Sequence, residues 1–330
     1  MTDRVVDVHV HAVPPALDER IEAGWSPHVS STRLPDGRRQ YRFPSMDPSP
    51  PAPAALHDLA AMTNWADEHE ITTQLIGPWT DLLGYTLPAA VAESWSQLYN
   101  EALATACDGS AHTEPMGTIP LQDPGAAVRV LEAAKRMGCV GLVIGTDLPG
   151  TDLADPALDD VWAAAAEQRL PILVHPTFLS IPVELQRNGL KNAMGRASVT
   201  ALALTQAIYA GVLERHPGLV LIAAHGGGAF VPQIDRIVRN QELGWSGTDV
   251  DLAASVRRIY WDSVVVDPSY LGYLAAKVGA DRVVLGSDHP FPWEAHPVRM
   301  VGAAHLDPEQ TSAIVSGTAA SIFDLPDTGP

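Results

Sequence analysis

Four short segments of the chain carry side chains that can bind a metal. They are Asp7-Val8-His9-Val10-His11, Leu173-Val174-His175-Pro176, Ala224-His225-Gly226-Gly227-Gly228 and Leu285-Gly286-Ser287-Asp288. His9 and His11 are two apart, so on one strand both imidazoles project to the same side. A lone His-x-His is a weak signal. Its weight rises when His175 and Asp288 also stand at the ends of apolar, β-branched runs, because buried charged or polar groups without partners are costly. Three imidazoles and one carboxylate suit a divalent cation. The expected mononuclear site is therefore His9, His11, His175 and Asp288. His225 precedes three glycines, which allow a sharp backbone turn and close approach of a ligand. As a fifth ligand it would crowd the metal. As a general acid/base beside the metal it has a natural use, since imidazole titrates near neutral pH.

These segments must be brought together by the elements that hold them. Strand-like runs fall near Val5–His9, Thr72–Gly77, Glu114–Ile119, Val140–Gly145, Pro171–His175, Val220–His225, Ile259–Ser263 and Val283–Ser287. Helical spacing occupies Ala90–Ala106, Pro124–Met137, Pro156–Glu167, Val199–Arg215 and Pro268–Val278 between them. Asp123-Pro124, Asp155-Pro156 and Asp267-Pro268 each place an N-cap acid before an N1 proline. Eightfold β/α alternation predicts an α/β fold of the (β/α)8 TIM-barrel type, whose strands aim their C-terminal ends at one mouth. An open doubly wound sheet is the competing architecture. It calls for a glycine-rich phosphate loop after the first strand, where this chain has prolines.

The fourth strand-like run, Val140-Gly141-Leu142-Val143-Ile144-Gly145, holds no Lys, Glu, Cys or His to bridge a second metal, so one ion is expected. The stretch 13–53 carries nine prolines and a polar patch from Arg33 to Arg42. It reads as a long insertion after the first strand, a lid or dimer-contact element rather than a flexible linker. Otherwise residues 1–330 read as one barrel domain, with a frayed tail at Pro326–Pro330.

Composition narrows the function. The 330 residues are 46% hydrophobic and 18% charged, with a net charge of −18. That balance argues against nucleic acid or an anionic membrane as partner. An anionic substrate then needs a local cation, either the metal or a few arginines. Only Cys107 and Cys139 are present, so a disulfide framework is not expected and a reducing cytoplasm fits. Asp3 and Asp7 interrupt any leader-like pattern at the start, and no apolar run approaches the ~20 residues a membrane helix needs.

The motifs resemble the amidohydrolase superfamily, and within it the amidohydrolase-2 branch of aminocarboxymuconate semialdehyde decarboxylase-like enzymes. Asp7 to His11 resembles the branch's first metal motif, and Val174-His175-Pro176 its third-ligand motif. Ile119-Pro120-Leu121-Gln122-Asp123-Pro124 is similar to its "lPlqDp" segment. Gly211-Val212-Leu213-Glu214-Arg215-His216-Pro217 followed by Ala224 to Gly228, and Gly286-Ser287-Asp288-His289-Pro290-Phe291, resemble its other signatures. The resemblance implies one zinc ion, with manganese as the alternative, His225 as the catalytic histidine, Asp288 as ligand and proton shuttle, and a homodimer.

Three positions depart from the pattern. Near Met62 only His57 and Asp58 stand where those decarboxylases carry a carboxylate-binding arginine. Gly317-Thr318-Ala319 replaces a Gly-Asn-Ala element, and His289 follows the metal Asp in place of Tyr. Candidate substrate contacts are Trp79, Tyr85, Phe178, Arg236, Arg239 and His289, each of which also has a plain packing or surface reading. Arg39 and Arg42 in the insertion are further sources of positive charge. The expected function is metal-dependent, non-oxidative decarboxylation of a cyclic, aromatic or unsaturated carboxylic acid. A hydrolase or hydratase acting on a lactone, amide or double bond uses the same residues, and a non-catalytic metal-binding scaffold is a remote third reading.

Overall fold

Eight parallel strands pair in sequence order: β1 (Val6–Ala12), β2 (Thr73–Pro78), β3 (Thr113–Gly117), β4 (Gly141–Gly145), β5 (Ile172–His175), β6 (Leu221–Ala223), β7 (Tyr260–Asp262) and β8 (Val283–Val284). The computed structural model describes residues 4–293 and 295–325; the expected tail at Pro326–Pro330 lies outside them. The segment after β8 closes the ring onto β1. Val8 N–H donates to Leu285 O at 2.9 Å, Asp288 N–H to His9 O at 2.9 Å and His11 N–H to His289 O at 2.8 Å. This is the (β/α)8 barrel that the alternation predicts.

The interior is filled by one apolar layer that includes Val8, Leu75, Val143, Leu173, Ile222 and Val284. Outward-facing strand residues such as Leu142, Ile144, Ile172 and Val174 pack with the helices, among them Leu131, Trp162 and Leu204. Asp123, Asp155 and Asp267 each accept a backbone N–H at the start of their helices, as expected. The helical run expected over Val199–Arg215 is instead two helices, Arg196–Tyr209 and Val212–Arg215, broken where Gly211 takes φ 71°. A left-handed residue cannot continue a right-handed helix.

The insertion after β1 is folded. It contains a helix, Pro15–Glu22, and an antiparallel hairpin pairing Ser30–Arg33 with Arg39–Arg42. Tyr41 Oη–H donates to Asp18 Oδ1 at 2.6 Å, and Arg39 pairs with both Asp18 and Glu22. Leu17, Tyr41 and Phe43 share an apolar cluster with Trp79 and Trp95.

Candidate active site

The β1 strand pairs with β2 in two registers, with a slip between Asp7 and Val10. Val6 and Val8 belong to the interior layer, while His9, within the slip, and His11, beyond it, join the cluster of candidate ligands. Irregularities of this kind re-aim side chains next to functional sites. His175 is the last residue of β5. The strands expected to end at His225 and Ser287 are shorter than that: β6 stops at Ala223 and β8 at Val284. His225 (φ 55°) and Asp288 (φ 59°) stand in tight left-handed turns beyond them. Gly228 lets the His225 turn lie against the start of the Arg196–Tyr209 helix, where an added Cβ would come within 2.5 Å of Ala197 O.

His9, His11, His175 and Asp288 are all buried, and one ligand atom from each lies within 4.8 Å of the others. The hydrogen bonds around them fix how the imidazoles present themselves. His11 Nδ1 is 2.8 Å from Pro78 O and His175 Nδ1 is 2.9 Å from Pro176 O. A carbonyl only accepts, so each Nδ1 carries its hydrogen and each Nε2 is left with a lone pair. His9 Nδ1 lies 2.6 Å from Asp262 Oδ2, which gives the same tautomer. Three Nε2 lone pairs and Asp288 Oδ1 therefore converge. His11 Nε2 stands 3.1 Å from His9 Nε2 and 3.2 Å from Asp288 Oδ1. His175 Nε2 and Asp288 Oδ1 are buried with no hydrogen-bond partner. This arrangement fits a divalent cation, with outer carbonyl and carboxylate partners orienting the ligands.

The electrostatics agree. Burial opposes charge on His9, but the Asp288 and Asp262 carboxylates outweigh it and raise its pKa to about 10, so this point favours a positive charge: either a proton on His9, or a cation that displaces that proton and leaves Nε2 its lone pair. Burial, aided by neighbouring imidazoles, holds His175 well below the usual range; His11 is also lowered, chiefly by burial. Both are then neutral, the form that ligates. Burial works against the Asp288 carboxylate, yet the His9 charge and the His11, His225 and His9 contacts hold it well below its usual range.

Asp262 is the residue that sequence reasoning missed. Besides His9 it accepts Gly226 N–H at 2.8 Å and Val264 N–H at 3.2 Å, so one carboxylate orients both a candidate ligand and the His225 turn. Its only trace in the sequence was an acid near the end of the seventh apolar run, with no histidine beside it to mark it. Asp7 has a different part. It accepts from Ser287 N–H (3.1 Å), Ser287 Oγ–H (2.5 Å) and His9 N–H (3.2 Å), tying β1 to the segment before Asp288. Burial raises its pKa to about 7 despite those bonds.

His225 Nε2 lies 3.3 Å from Asp288 Oδ2, and its ring is 4.8 Å from that of His175. With 19% of its side chain exposed, it is the most open of the five residues. It lines a cavity of about 280 Å3 together with Arg196, Val264, Tyr270 and Trp293. A group placed here can meet substrate on one side and a carboxylate on the other.

The substrate candidates separate. Trp79 is buried with its ring 6.5 Å from Phe291, which in turn lies 6.0 Å from His11. Tyr85 Oη accepts Gly145 N–H at 3.0 Å and borders a small cavity with Asp81 and Phe178. His289 stacks on Trp65 at 4.1 Å, and burial pushes its pKa down to about 4. Arg236 is exposed on an outer groove with Leu202, and Arg239 pairs with Glu242 at 2.7 Å. Neither arginine lines the His225 cavity. Near Met62, Asp58 caps the Leu59–Glu68 helix and His57 lies 3.0 Å from Asp18, so both have structural partners.

The Amidohydrolase family model matches residues 6–325. The chain belongs to that family. It is 26% identical over 309 residues to 2-amino-3-carboxymuconate-6-semialdehyde decarboxylase of Dictyostelium discoideum, covering 87% of this chain and 82% of that protein. Among solved structures it resembles 5-carboxyvanillate decarboxylase LigW of Sphingomonas paucimobilis, with TM-score 0.83 and 19% identity over 98% of this chain and 100% of that one. It also resembles LigW2 of Novosphingobium aromaticivorans, solved with bound manganese, with TM-score 0.80 and 19% identity over 98% of each chain. At such identities the structural matches speak for the fold.

Proposed function

We propose that this chain is a metal-dependent, non-oxidative decarboxylase of an aromatic, cyclic or unsaturated carboxylic acid. The observation that carries the reading is His225 on the wall of a cavity, 3.3 Å from Asp288, beside a buried cluster of converging lone pairs. The decarboxylases among its relatives and neighbours support it. His9, His11, His175 and Asp288 would hold the ion. Zinc suits three neutral nitrogens and a carboxylate, and manganese, bound in one neighbour, is the alternative. When bound, the ion supplies positive charge that polarises and neutralises substrate oxygens.

The remaining chemistry belongs to the side chains. His225 delivers a proton to the carbon that bears the carboxylate. The C–C bond to the carboxylate then breaks, its electron pair stays on the ring or conjugated system, and carbon dioxide leaves. Asp288 Oδ2 orients His225 and stabilises its charged form. Phe291 and Trp79 supply an apolar flank beside His11.

The insertion over 13–53 acts as a lid in this reading: Phe43, Met46 and Pro48 face Phe178 and Lys191 across a second cavity of about 210 Å3. A homodimer is the expected assembly, and the outer groove of Leu202 and Arg236 is a candidate contact. Two buried free thiols suit a reducing compartment such as the cytoplasm.

Product mass tests the chemistry. The zinc- or manganese-loaded enzyme is incubated with aromatic acids, muconate-like acids, lactones and amides. A product lighter by carbon dioxide supports decarboxylation and names the substrate class. A product changed only by water replaces this reading with a hydrolase or hydratase at the same site.

A further inference from the structure

Beside the His225 cavity, two cations share one aromatic ring. Arg196 Cζ lies 4.1 Å and Lys191 Nζ 4.6 Å from the centroid of Phe178. Asp81 faces Arg196, with Oδ1 3.8 Å from a terminal nitrogen, and Asp47 and Asp81 both line the cavity that Lys191 borders. Arg196 is only 13% exposed, and its Nε is buried without a hydrogen-bond partner. A guanidinium offers five donors in a planar fork suited to carboxylate. Here Asp81 stands beyond ordinary hydrogen-bond distance, so the fork retains donors for another oxygen acid. Arg196 lines the same cavity as His225, while Lys191 borders the neighbouring cavity under the insertion. In a protein of net charge −18, a local cationic pair of this kind is where an anion gains most.

We propose that Arg196, held against Phe178 and supported by Lys191, recognises a second acidic group on the substrate, so that the preferred substrates are aromatic diacids. The argument for a second group is chemical. Charge-assisted bonds stabilise a carboxylate as an anion and oppose its conversion to neutral carbon dioxide, because they favour the ground state over the transition state. Arg196 therefore serves best on the acid that stays, while the acid that leaves sits by His225. That division rests on the decarboxylase reading, whereas the recognition of a second anion does not.

Equilibrium binding tests it without turnover. The probes are benzene-1,3-dicarboxylate and 3-nitrobenzoate, which share a shape but differ by one negative charge. Binding is followed by tryptophan fluorescence on metal-loaded wild type, R196Q and K191Q, each checked for metal content and circular dichroism. The proposal expects wild type to prefer the dicarboxylate. R196Q should weaken dicarboxylate binding roughly 10- to 100-fold, the loss expected for charge-assisted hydrogen bonds, with nitrobenzoate little changed. K191Q should give a smaller loss of the same selectivity, and it decides the matter if R196Q does not fold. Equal losses for both probes, or no loss for either, overturn the proposal. Failure of either probe to release carbon dioxide bears only on the reaction, so the two readings fail separately.

Discussion

His9 shows how much of the site lies in groups that do not reach its centre. Its Nδ1 is fixed by Asp262 at 2.6 Å, and the same carboxylate holds Gly226 N–H beside His225. Asp262→Asn keeps the size but removes the charge that orients His9. Metal affinity should then fall roughly 10- to 100-fold, as for other outer-sphere partners of ligating histidines, read by titration against a chelating dye. Unchanged affinity would remove Asp262 from the account. His9, His11, His175, His225 and Asp288 stood out in the sequence as metal-binding residue types in or just past strand-like runs. Asp262 was not, because a lone acid without a histidine beside it looks like any strand terminus. Arg196 was missed for a related reason: its value comes from Phe178 and Asp81, which are remote in sequence.

At the scale of elements, hydrophobic alternation and Asp-Pro helix starts located the strands and most helices. They could not show the register slip in β1 or the left-handed turns at His225 and Asp288. Those features arise from long-range bonds such as Asp7 to Ser287, which no local pattern encodes. The insertion read as a proline-rich loop because its order is tertiary, resting on Tyr41 and Arg39 against Asp18. Tyr41→Phe leaves the apolar packing and removes one bond to a buried carboxylate. It should cost about 1–3 kcal/mol of stability, measured by denaturant unfolding. A loss near zero would mean that the hairpin is held by its apolar side chains alone.

For the whole molecule, with its net charge of −18, the proposed anion site lies between the buried histidine cluster and Arg196. Burial pushes the Cys107 and Cys139 thiols up to about 12, so both stay protonated at pH 8, far below their pKa values. Iodoacetamide at pH 8 should label neither in the folded protein and both after unfolding, as read by intact mass; rapid labelling of the native state would contradict their burial. The central claim is that His225 carries the proton step of a decarboxylation while others hold the metal. The most direct measurement compares carbon dioxide release by wild type and His225→Asn at matched metal content, on the substrate found in the product-mass screen. The account predicts a fall of at least about 100-fold, the usual contribution of a general acid/base, with metal stoichiometry unchanged. Release within a few-fold of wild type by the metal-replete variant would contradict it.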